Sequence, residues 1–361
     1  MKVKLEEVCE RGSSNLKQSD IVHKSGQYPI YGASGCIDHV DFYHQEKKYV
    51  AVVKDGAGIG RTMLLPAKSS IIGTMQYLLP KKNVLPEYLY YVVRHMHLEK
   101  YFSGATIPHI YFRDYKNEEF NLDCLEKQTD IVETLGKVEK IIASRQQQLQ
   151  KLDELVKARF VEMFGDPVSN PHGFEKVALD ELADIKIGPF GSFLHKEDYV
   201  KNCHALVNPS HIVEGKISVD NKLTVSDEKY AELSAYHLKI GDVVMGRRGE
   251  MGRCAVVTDE GLLCGTGSLL IRTKGKVTAD YIQKIISFPS FKKTIEDMAV
   301  GQTMPNLNVP IVSGFQIIKP PIEVQKSYYD FVAQIDKSKF VEIIELLNLL
   351  IYTITKEVSP W

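Results

Sequence analysis

The chain has 361 residues, of which 44% are hydrophobic and 25% are charged, and its net charge is −1 at pH 7. This length predicts two or three domains, and the composition is that of an ordinary globular protein. The near-neutral charge counts against a protein that binds nucleic acid through overall charge. Any such contact must depend on local clusters of Lys and Arg.

The cysteines and the first residues predict the compartment. Six cysteines are scattered without a Cys-x-x-Cys pair, which indicates a reducing environment and counts against a structural zinc site. Residues 1–10 are polar and charged, unlike the apolar core of a signal peptide. No apolar run approaches the roughly 20 residues needed to span a bilayer. We therefore expect a cytoplasmic protein with no metal, no cofactor and no membrane partner.

The first 124 residues mix short apolar runs with turn signals. The β-branched run Tyr49–Val53 predicts a strand, and residues 70–72 predict another. A helix is expected to open at Pro86, because proline is tolerated in the first helical turn. Its counterpart in the second half of the chain is expected to start near Thr278.

A glycine-rich segment, Gly56-Ala57-Gly58-Ile59-Gly60, follows the first of these strands. It resembles part of a dinucleotide-binding turn, in which glycines let the backbone approach phosphate. Such a turn is followed by a helix, whereas residues 61–66 have the pattern of another strand. The segment therefore favours a tight hairpin.

A heptad pattern begins at residue 126 and continues without proline to residue 166. Its apolar residues recur at steps of four and three, with Arg145 as the one interruption, and such a seam needs a partner helix to bury it. Gly165 and Pro167 are expected to end the helix, which predicts a spacer helix over residues 125–165. The predicted seam residues are Ile131, Leu135, Val138, Ile142, Leu149, Leu152 and Val156.

Residues 166–173 are rich in turn formers and predict a linker, after which a second globular segment extends to residue 322. A second long helix is expected over residues 323–361, although Lys339 and Glu342 interrupt its seam. The two helices are expected to form an antiparallel coiled coil; the alternative is that each packs on its own globular domain. The predicted seam residues are Tyr328, Val332, Ile335, Leu346 and Leu349.

The second half of the chain repeats the first. Gly60-Arg61 returns as Gly252-Arg253 after 192 residues, and Glu126-x-Gln128 returns as Glu323-x-Gln325 after 197 residues. A period of this length indicates a duplicated domain, since solenoid units have about 20–50 residues. The second copy keeps only the final Gly-Arg of the glycine-rich segment in phase, which argues against a cofactor loop. A protein with pseudo-two-fold symmetry suits a two-fold polymer such as DNA.

Two sets of side chains are candidates for DNA contact, since cations on turns reach phosphate or guanine and polar loop residues reach base edges. The first set lies on turns: Lys54, Arg61, Arg247, Arg248 and Arg253. The second set lies in a repeated Gly-x-Thr-x-Pro loop and beyond it: His109, Tyr111, Arg113, Gln302, Asn306 and Asn308. Thr106 and Thr303, which both copies share, are interpreted as turn residues. The alternative for the cations is ordinary solvated loop charge.

No catalytic motif is present in the sequence. The chain has no His-Glu-x-x-His, no Gly-x-Ser-x-Gly, no P-loop and no clear nuclease Asp…Glu-x-Lys set. Its histidines are dispersed, with His95 and His97 expected in a helix and His109 and His195 in loops. We therefore expect a non-catalytic protein.

Several segments together resemble the specificity subunit of type I restriction–modification systems, over essentially the whole chain. The first globular segment contains Tyr28-Pro29-Ile30-Tyr31-Gly32, which is similar to that family's Tyr-Pro-x-Tyr-Gly opening. Residues 188–192, 196–199, 208–212 and 241–243 are similar to family segments of the second domain. The most characteristic segments are the end of the first long helix and the start of the second, which are Phe160-Val161-Glu162-Met163-Phe164-Gly165-Asp166-Pro167 and Pro320-Pro321-Ile322-Glu323-x-Gln325.

This resemblance implies an α+β or α/β fold with two target recognition domains, over residues 1–124 and 166–322. Each domain would be a twisted sheet with flanking helices and would read one half of a split DNA sequence. The antiparallel coil would set the distance between the half-sites. The implied partners are double-stranded DNA, two adenine-N6 methyltransferase subunits that bind SAM, and restriction–translocase subunits that use ATP.

Two alternatives remain open from the sequence. The chain could serve as the recognition subunit of a fused restriction–methylation enzyme or of another phage-defence complex. It could also be a coiled-coil scaffold that pairs two ligand-binding domains without DNA. Weak, salt-insensitive DNA binding by the assembled complex would favour the scaffold, because phosphate contacts make DNA binding depend on salt.

Overall fold

The structure is a computed structural model that describes residues 1–21, 25–104, 108–299 and 306–357, and it leaves out the side chains of residues 192, 196 and 348–357. Its contacts divide the chain into two units. The first unit contains Met1–Gln148 and the chain from Glu342 onward, and the second contains Leu149–Val341. Each unit thus includes part of both long helices. The predicted domain ranges 1–124, 125–165, 166–322 and 323–361 stay a prediction.

The first unit is built on a four-stranded antiparallel sheet in the order β2-β8-β5-β6. Beside it, β3 pairs antiparallel with β4 and parallel with β7, and β1 pairs antiparallel with β9. The elements are β1 (Lys2–Lys4), α1 (Leu5–Val8), β2 (Cys9–Ser13), β3 (Tyr28–Gly32), β4 (Gly35–Val40), β5 (Tyr49–Val53), β6 (Thr62–Leu65), β7 (Ser70–Ile71), β8 (Met75–Pro80), α2 (Pro86–His95), α3 (Phe112–Tyr115), β9 (Glu119–Asn121) and the long α4 (Leu125–Phe164).

The second unit contains an antiparallel sheet in the order β11-β20-β17-β18 and a second sheet in the order β12-β16-β13-β19. Two further pairs are β10 with β21 and β14 with β15. The strands are β10 (Lys176–Ala178), β11 (Ala183–Ile187), β12 (Tyr199–Val200), β13 (His204–Val207), β14 (Ile212–Val213), β15 (Lys216–Ile217), β16 (Thr224–Val225), β17 (Val243–Gly246), β18 (Cys254–Val256), β19 (Leu263–Cys264), β20 (Ser268–Thr273) and β21 (Gln316–Ile318). The helices are α5 (Leu179–Leu182), α6 (Asp227–Glu232), α7 (Ala279–Ile286), α8 (Pro289–Met298), α9 (Val309–Ser313) and the long α10 (Ile322–Glu357).

The predicted duplication is confirmed by the topology. The central sheets have the same strand order. In the first, β5 lies between β8 and β6, and in the second, β17 lies between β20 and β18. Within the described residues, each copy also contains a parallel pair, β3 with β7 and β13 with β19. The two copies therefore share the arrangement of their central strands and differ in the segments between those strands.

Most of the predicted local elements are confirmed. The β-branched run at β5 is fully buried, the Pro86 helix is α2, and Thr278 caps α7 by accepting a hydrogen bond from the backbone N–H of Tyr281. The prediction of a helical His97 was wrong, because α2 ends at His95 and His97 has a positive φ of 50°. One face of α2 in the first unit, and one face of α7 in the second, packs against the central sheet as part of the hydrophobic core.

Gln128 in α4 and Gln325 in α10 are buried and make equivalent hydrogen bonds. The Gln128 side-chain oxygen accepts from the backbone N–H of Leu85 at the start of α2, at 2.9 Å. The Gln325 oxygen accepts from the backbone N–H of Thr278 at the start of α7, at 3.0 Å, and its amide donates to the Pro320 carbonyl at 2.9 Å. The glutamine of the repeated Glu-x-Gln motif thus links the first turn of each long helix to the start of a shorter helix, α4 to α2 and α10 to α7.

We expect Gln325→Ala to lower the free energy of unfolding by about 1–3 kcal/mol, because it leaves the partly buried N–H of Thr278 without its acceptor. Urea unfolding followed by circular dichroism measures the change. Gln334→Ala, on the exposed face of the same helix, is the matched control and should change the value by less than about 0.5 kcal/mol. Equal losses in the two variants would contradict the prediction.

The predicted seam is visible as a stripe of partial burial along each long helix. In α4 every position of the predicted seam, Arg145 included, is half-buried. In α10 the protected positions continue at steps of four and three through Lys339 and Glu342, which the sequence pattern had identified as interruptions. Leu346 is half-buried, and Leu349 lies among the side chains outside the description. The heptad register therefore passes through the polar residues.

The polar seam residues form ion pairs with charged residues of the opposite long helix. Within the first unit, Arg145 forms ion pairs with Glu342 and with Glu345, the second at 2.9 Å. Within the second unit, the Lys339 ammonium lies 2.7 Å from an Asp153 carboxylate oxygen, and this hydrogen bond raises the pKa of Lys339 above its ordinary value. The apparent defects of the seam are therefore complementary charges.

The helices run antiparallel where they meet in the second unit. Asp153 lies beside Lys339, whereas three residues later the Val156 carbonyl accepts a hydrogen bond from the Tyr328 hydroxyl at 3.3 Å. Residue numbers thus rise along α4 as they fall along α10. The predicted antiparallel pairing is confirmed, in place of the alternative in which each helix packs only on its own domain.

Candidate nucleic-acid interface

The repeated Gly-Arg motif lies in the hairpin that follows the central strand of each sheet. β5 continues into the antiparallel β6, and β17 continues into the antiparallel β18. Gly60 has φ of 80° and Gly252 has φ of 74°, a left-handed conformation that favours glycine. A Cβ atom at Gly60 would lie 2.7 Å from the Glu99 nitrogen. The predicted tight hairpin is confirmed.

The arginine of each Gly-Arg motif contacts a backbone carbonyl of its own unit. Arg61 donates to the Ala33 carbonyl at 2.8 Å, and Arg253 donates to the Pro209 carbonyl at 3.1 Å. Arg253 also forms an ion pair with Glu250 at 2.7 Å. Both guanidinium groups therefore hold a neighbouring loop, which gives these two candidate residues a structural role shared by the copies.

In the first unit the residues after β5 are joined to the loop that contains His109. The backbone N–H of Ile110 donates to the Lys54 carbonyl at 2.9 Å, and that of Gly56 donates to the Pro108 carbonyl at 3.0 Å. The side chains of the same two loops are also in contact, since His109 Nδ1 lies 2.7 Å from an Asp55 carboxylate oxygen. We call Lys54, Asp55 and His109 the first paired-loop surface.

The second unit has the same arrangement after β17. The backbone N–H of Leu307 donates to the Arg247 carbonyl at 2.9 Å, and Arg248 and Asn306 form an isolated bridge. Arg247 Nε donates to Asn306 Oδ1 at 3.1 Å. Burial, followed by the neighbouring Arg248, lowers the pKa of Arg247. We call Arg247, Arg248 and Asn306 the second paired-loop surface.

The two paired-loop surfaces are equivalent in the repeat but differ in chemistry. His109 and Asn306 are 197 residues apart, and each is bridged to the second residue after its central strand, Asp55 or Arg248. The first surface presents a carboxylate–imidazole pair, and the second presents a guanidinium–amide pair. One backbone scaffold thus displays two different sets of hydrogen-bonding groups.

The other predicted site residues lie at or near these surfaces. Tyr111 is 44% exposed, its ring is stacked near that of His109, and the Arg113 guanidinium carbon lies 4.7 Å from the Tyr111 ring centroid. Asn308 caps α9 by accepting from the backbone N–H of Ile311 at 2.9 Å, so its side-chain oxygen is already engaged. The remaining residues of these loops, Gln302, Thr106 and Thr303, lie outside the described residues.

Two residues in or beside these surfaces, Asp55 and Phe190, were not among the predicted DNA-contact residues. Asp55 was not among the predicted residues, yet it is the hydrogen-bond partner of His109. Phe190 is 58% exposed and lines a shallow pocket with Arg247, Arg248 and Thr266. The position of Phe190 in a glycine-flanked loop was the available signal, since a large exposed aromatic side chain often marks a contact surface.

No helix among the described residues is long and apolar enough to cross a membrane. Residues 1–154 and 171–349 match the family model described as the Type I restriction modification DNA specificity domain. The chain belongs to this family. The two matched segments follow the duplication, so each copy carries one specificity domain.

Specificity subunits of the same family are similar in sequence along most of this chain. The Type I restriction enzyme MjaVIII specificity subunit of Methanocaldococcus jannaschii is 22% identical over 335 residues, which cover 84% of this chain and 78% of that protein. The MjaIX specificity subunit of the same organism is 23% identical over 282 residues, which cover 71% of this chain and 63% of that protein.

Solved structures of such subunits have the same fold. The crystal structure of the S subunit of a type I restriction–modification system from M. genitalium aligns with a TM-score of 0.60 at 14% identity, covering 98% of this chain and 94% of that one. A chain from a study of complex assembly and conformational transition of the type I R-M system aligns with a TM-score of 0.60 at 15% identity, covering 97% and 94%. The predicted mixed fold of two domains with two long helices is confirmed.

Proposed function

We propose that this specificity-domain protein is the non-catalytic DNA-recognition subunit of a type I restriction–modification complex, and that it reads a bipartite target. Each paired-loop surface contacts one half-site in the major groove. The observation that carries the proposal is the equivalence of the two surfaces, which combine one scaffold with different hydrogen-bonding groups. Two half-sites of different sequence require this combination.

The chemistry of the second surface favours guanine in its half-site. Arg247 uses Nε to contact Asn306, which leaves its two terminal nitrogens as donors, and Arg248 is exposed beside it. Paired donors from an arginine match the O6 and N7 acceptors of guanine. The Asp55 carboxylate of the first surface is an acceptor and matches the amino group of cytosine.

We further propose that the long helices bind two methyltransferase subunits, and that restriction subunits join the complex through this assembly. Helix α10 has an exposed apolar strip on the side away from its seam. Apolar strips of this kind on a helix mark protein contact surfaces. The strip consists of Phe340, Val341, Ile343, Ile344 and Leu347.

Mapping of methylated adenine tests this function. The chain is co-expressed with a type I methyltransferase subunit of its own system, and N6-methyladenine is located by sequencing the host DNA. Two short specified blocks separated by a fixed gap are expected. An assembled complex that methylates no such motif, and that binds DNA weakly and independently of salt, would instead support the coiled-coil scaffold.

Reciprocal substitutions assign the half-sites. Arg247→Ala is expected to weaken binding by about 1–3 kcal/mol and to relax one position of one block, because it removes a bidentate donor. His109→Ala is expected to relax the other block only. Fluorescence anisotropy of the assembled complex with DNA variants in each block measures both effects. Loss of discrimination in the same block for both variants would contradict the assignment.

A further inference from the structure

Three potential metal ligands meet in the second unit. Asp227 Oδ1 lies 3.0 Å from His204 Nε2 and 3.8 Å from Cys203 Sγ. The three ligand atoms lie within 4.8 Å of one another. The sequence predicted no metal here because the residues form no familiar spacing motif, and the fold brings them together.

The hydrogen bonding of His204 leaves its Nε2 facing an acceptor. Nδ1 lies 3.1 Å from the carbonyl oxygen of Gly261, an arrangement in which Nδ1 carries the hydrogen and donates it. A neutral imidazole has one N–H, so the lone pair of Nε2 then points at the Asp227 carboxylate. Two acceptors at this distance require either a second proton on the ring or a cation between them.

The position of each ligand is supported by its surroundings. The His204 ring stacks on Tyr230 with centroids 3.7 Å apart, and Tyr230 stacks in the same way on His237 at 3.7 Å. The backbone N–H of Cys203 donates to Thr224 at 3.2 Å, and Asp227 is the first residue of α6. A backbone carbonyl that accepts from the far nitrogen of a histidine is the usual outer support of a metal-bound imidazole.

We propose that Cys203, His204 and Asp227 bind a divalent transition-metal ion, with Zn²⁺ as the best match. Thiolate, imidazole and carboxylate are the donors that Zn²⁺ takes in proteins. Ligands at about 2.0–2.3 Å in tetrahedral geometry lie roughly 3.3–3.7 Å apart, close to the distances of this group. The fourth position is open to water, since the Asp227 side chain is 85% exposed.

The ion would hold α6 against the sheet of β13 and β16. His204 is the first residue of β13 and Cys203 comes directly before it, whereas Asp227 is the first residue of the helix that follows β16. The described part of the first unit has no counterpart of α6 between its parallel strands β3 and β7. The site therefore belongs to a segment that distinguishes the second recognition domain from the first.

Titration of the full chain with Co²⁺ in oxygen-free buffer tests the site, because Co²⁺ replaces Zn²⁺ and reports thiolate ligation by a near-ultraviolet band. We expect saturation at one equivalent, with this band and visible bands of a tetrahedral ion. Cys203→Ser is expected to remove the thiolate band and to weaken binding by at least about 100-fold, since even outer-shell changes cost 10–100-fold. Asp227→Asn is expected to weaken binding and retain the band.

Cys36→Ser, which changes an exposed cysteine of the first unit, is the matched control and should bind Co²⁺ like the unchanged chain. Circular dichroism confirms that each variant is folded. Absence of saturable binding would overturn the proposal. Equal binding by Cys203→Ser and Cys36→Ser would overturn it as well. Either result is independent of whether the chain recognises DNA.

Discussion

Adding one heptad to each long helix is expected to widen the unspecified gap of the DNA target by at most about three base pairs and to leave both specified blocks unchanged. Seven residues preserve the register of a heptad seam and add about 10 Å to a helix, and B-DNA rises roughly 34 Å in each turn of 10–10.5 base pairs. The experiment is methylation mapping, as for the unchanged chain.

The insertions belong at matched levels of the two helices. In α4 the heptad is inserted between Gln148 and Leu149, which lies between Arg145 and Asp153. In α10 it is inserted between Phe340 and Val341, which lies between their partners Glu342 and Lys339. Both ion pairs then survive. The control is a heptad in α4 alone, which should misalign the charges and abolish methylation. A double insertion that methylates the original motif would show that the helices do not set the gap.

Phe160→Ala is expected to lower the free energy of unfolding by about 3–5 kcal/mol, because the residue is fully buried in an aromatic cluster. Its ring lies 5.0 Å from that of Phe164 and 5.5 Å from those of Phe288 and Tyr328, measured between centroids. The substitution leaves a cavity where α4, α10 and the core of the second unit meet. The free energy of unfolding of a folded protein is only about 5–15 kcal/mol, so this substitution removes a large part of it.

Urea unfolding of the full chain measures the loss, and Phe340→Ala is the matched control. Phe340 has the same side chain but is 65% exposed on α10, so its replacement should change the free energy by less than about 0.5 kcal/mol. If the two variants unfold at the same urea concentration, the aromatic cluster does not hold the helices to the second unit.

Much of this fold could be predicted from the sequence, because its main signals are periodic or repeated. The heptad spacing located the seam, and the β-branched run at Tyr49–Val53 located a central strand. Lys339 and Glu342 could not be interpreted from one helix alone, since their partners Asp153 and Arg145 are nearly 200 residues away. Local patterns identify elements, whereas the meaning of a buried charge depends on the element opposite.

The candidate interface was predicted only in part for the same reason. Cations on turns were recognisable, but the sequence cannot distinguish Arg253, which is bound to Pro209 and Glu250, from the exposed Arg248. The contact between Asp55 and His109 joins two loops that are far apart in the chain. The roles of the candidate residues in DNA recognition stay predictions until the reciprocal substitutions are measured.

The charge pair at the middle of the seam has a consequence for the ancestry of the chain. Arg145 and Glu342 occupy the same position of the two copies, 197 residues apart, and they contact each other. In a symmetric dimer of either half alone, this position would face its own twin, arginine against arginine or glutamate against glutamate. An ancestral single-copy protein with identical subunits could not have used this pair. Each half is therefore a better electrostatic partner for the other half than for a copy of itself.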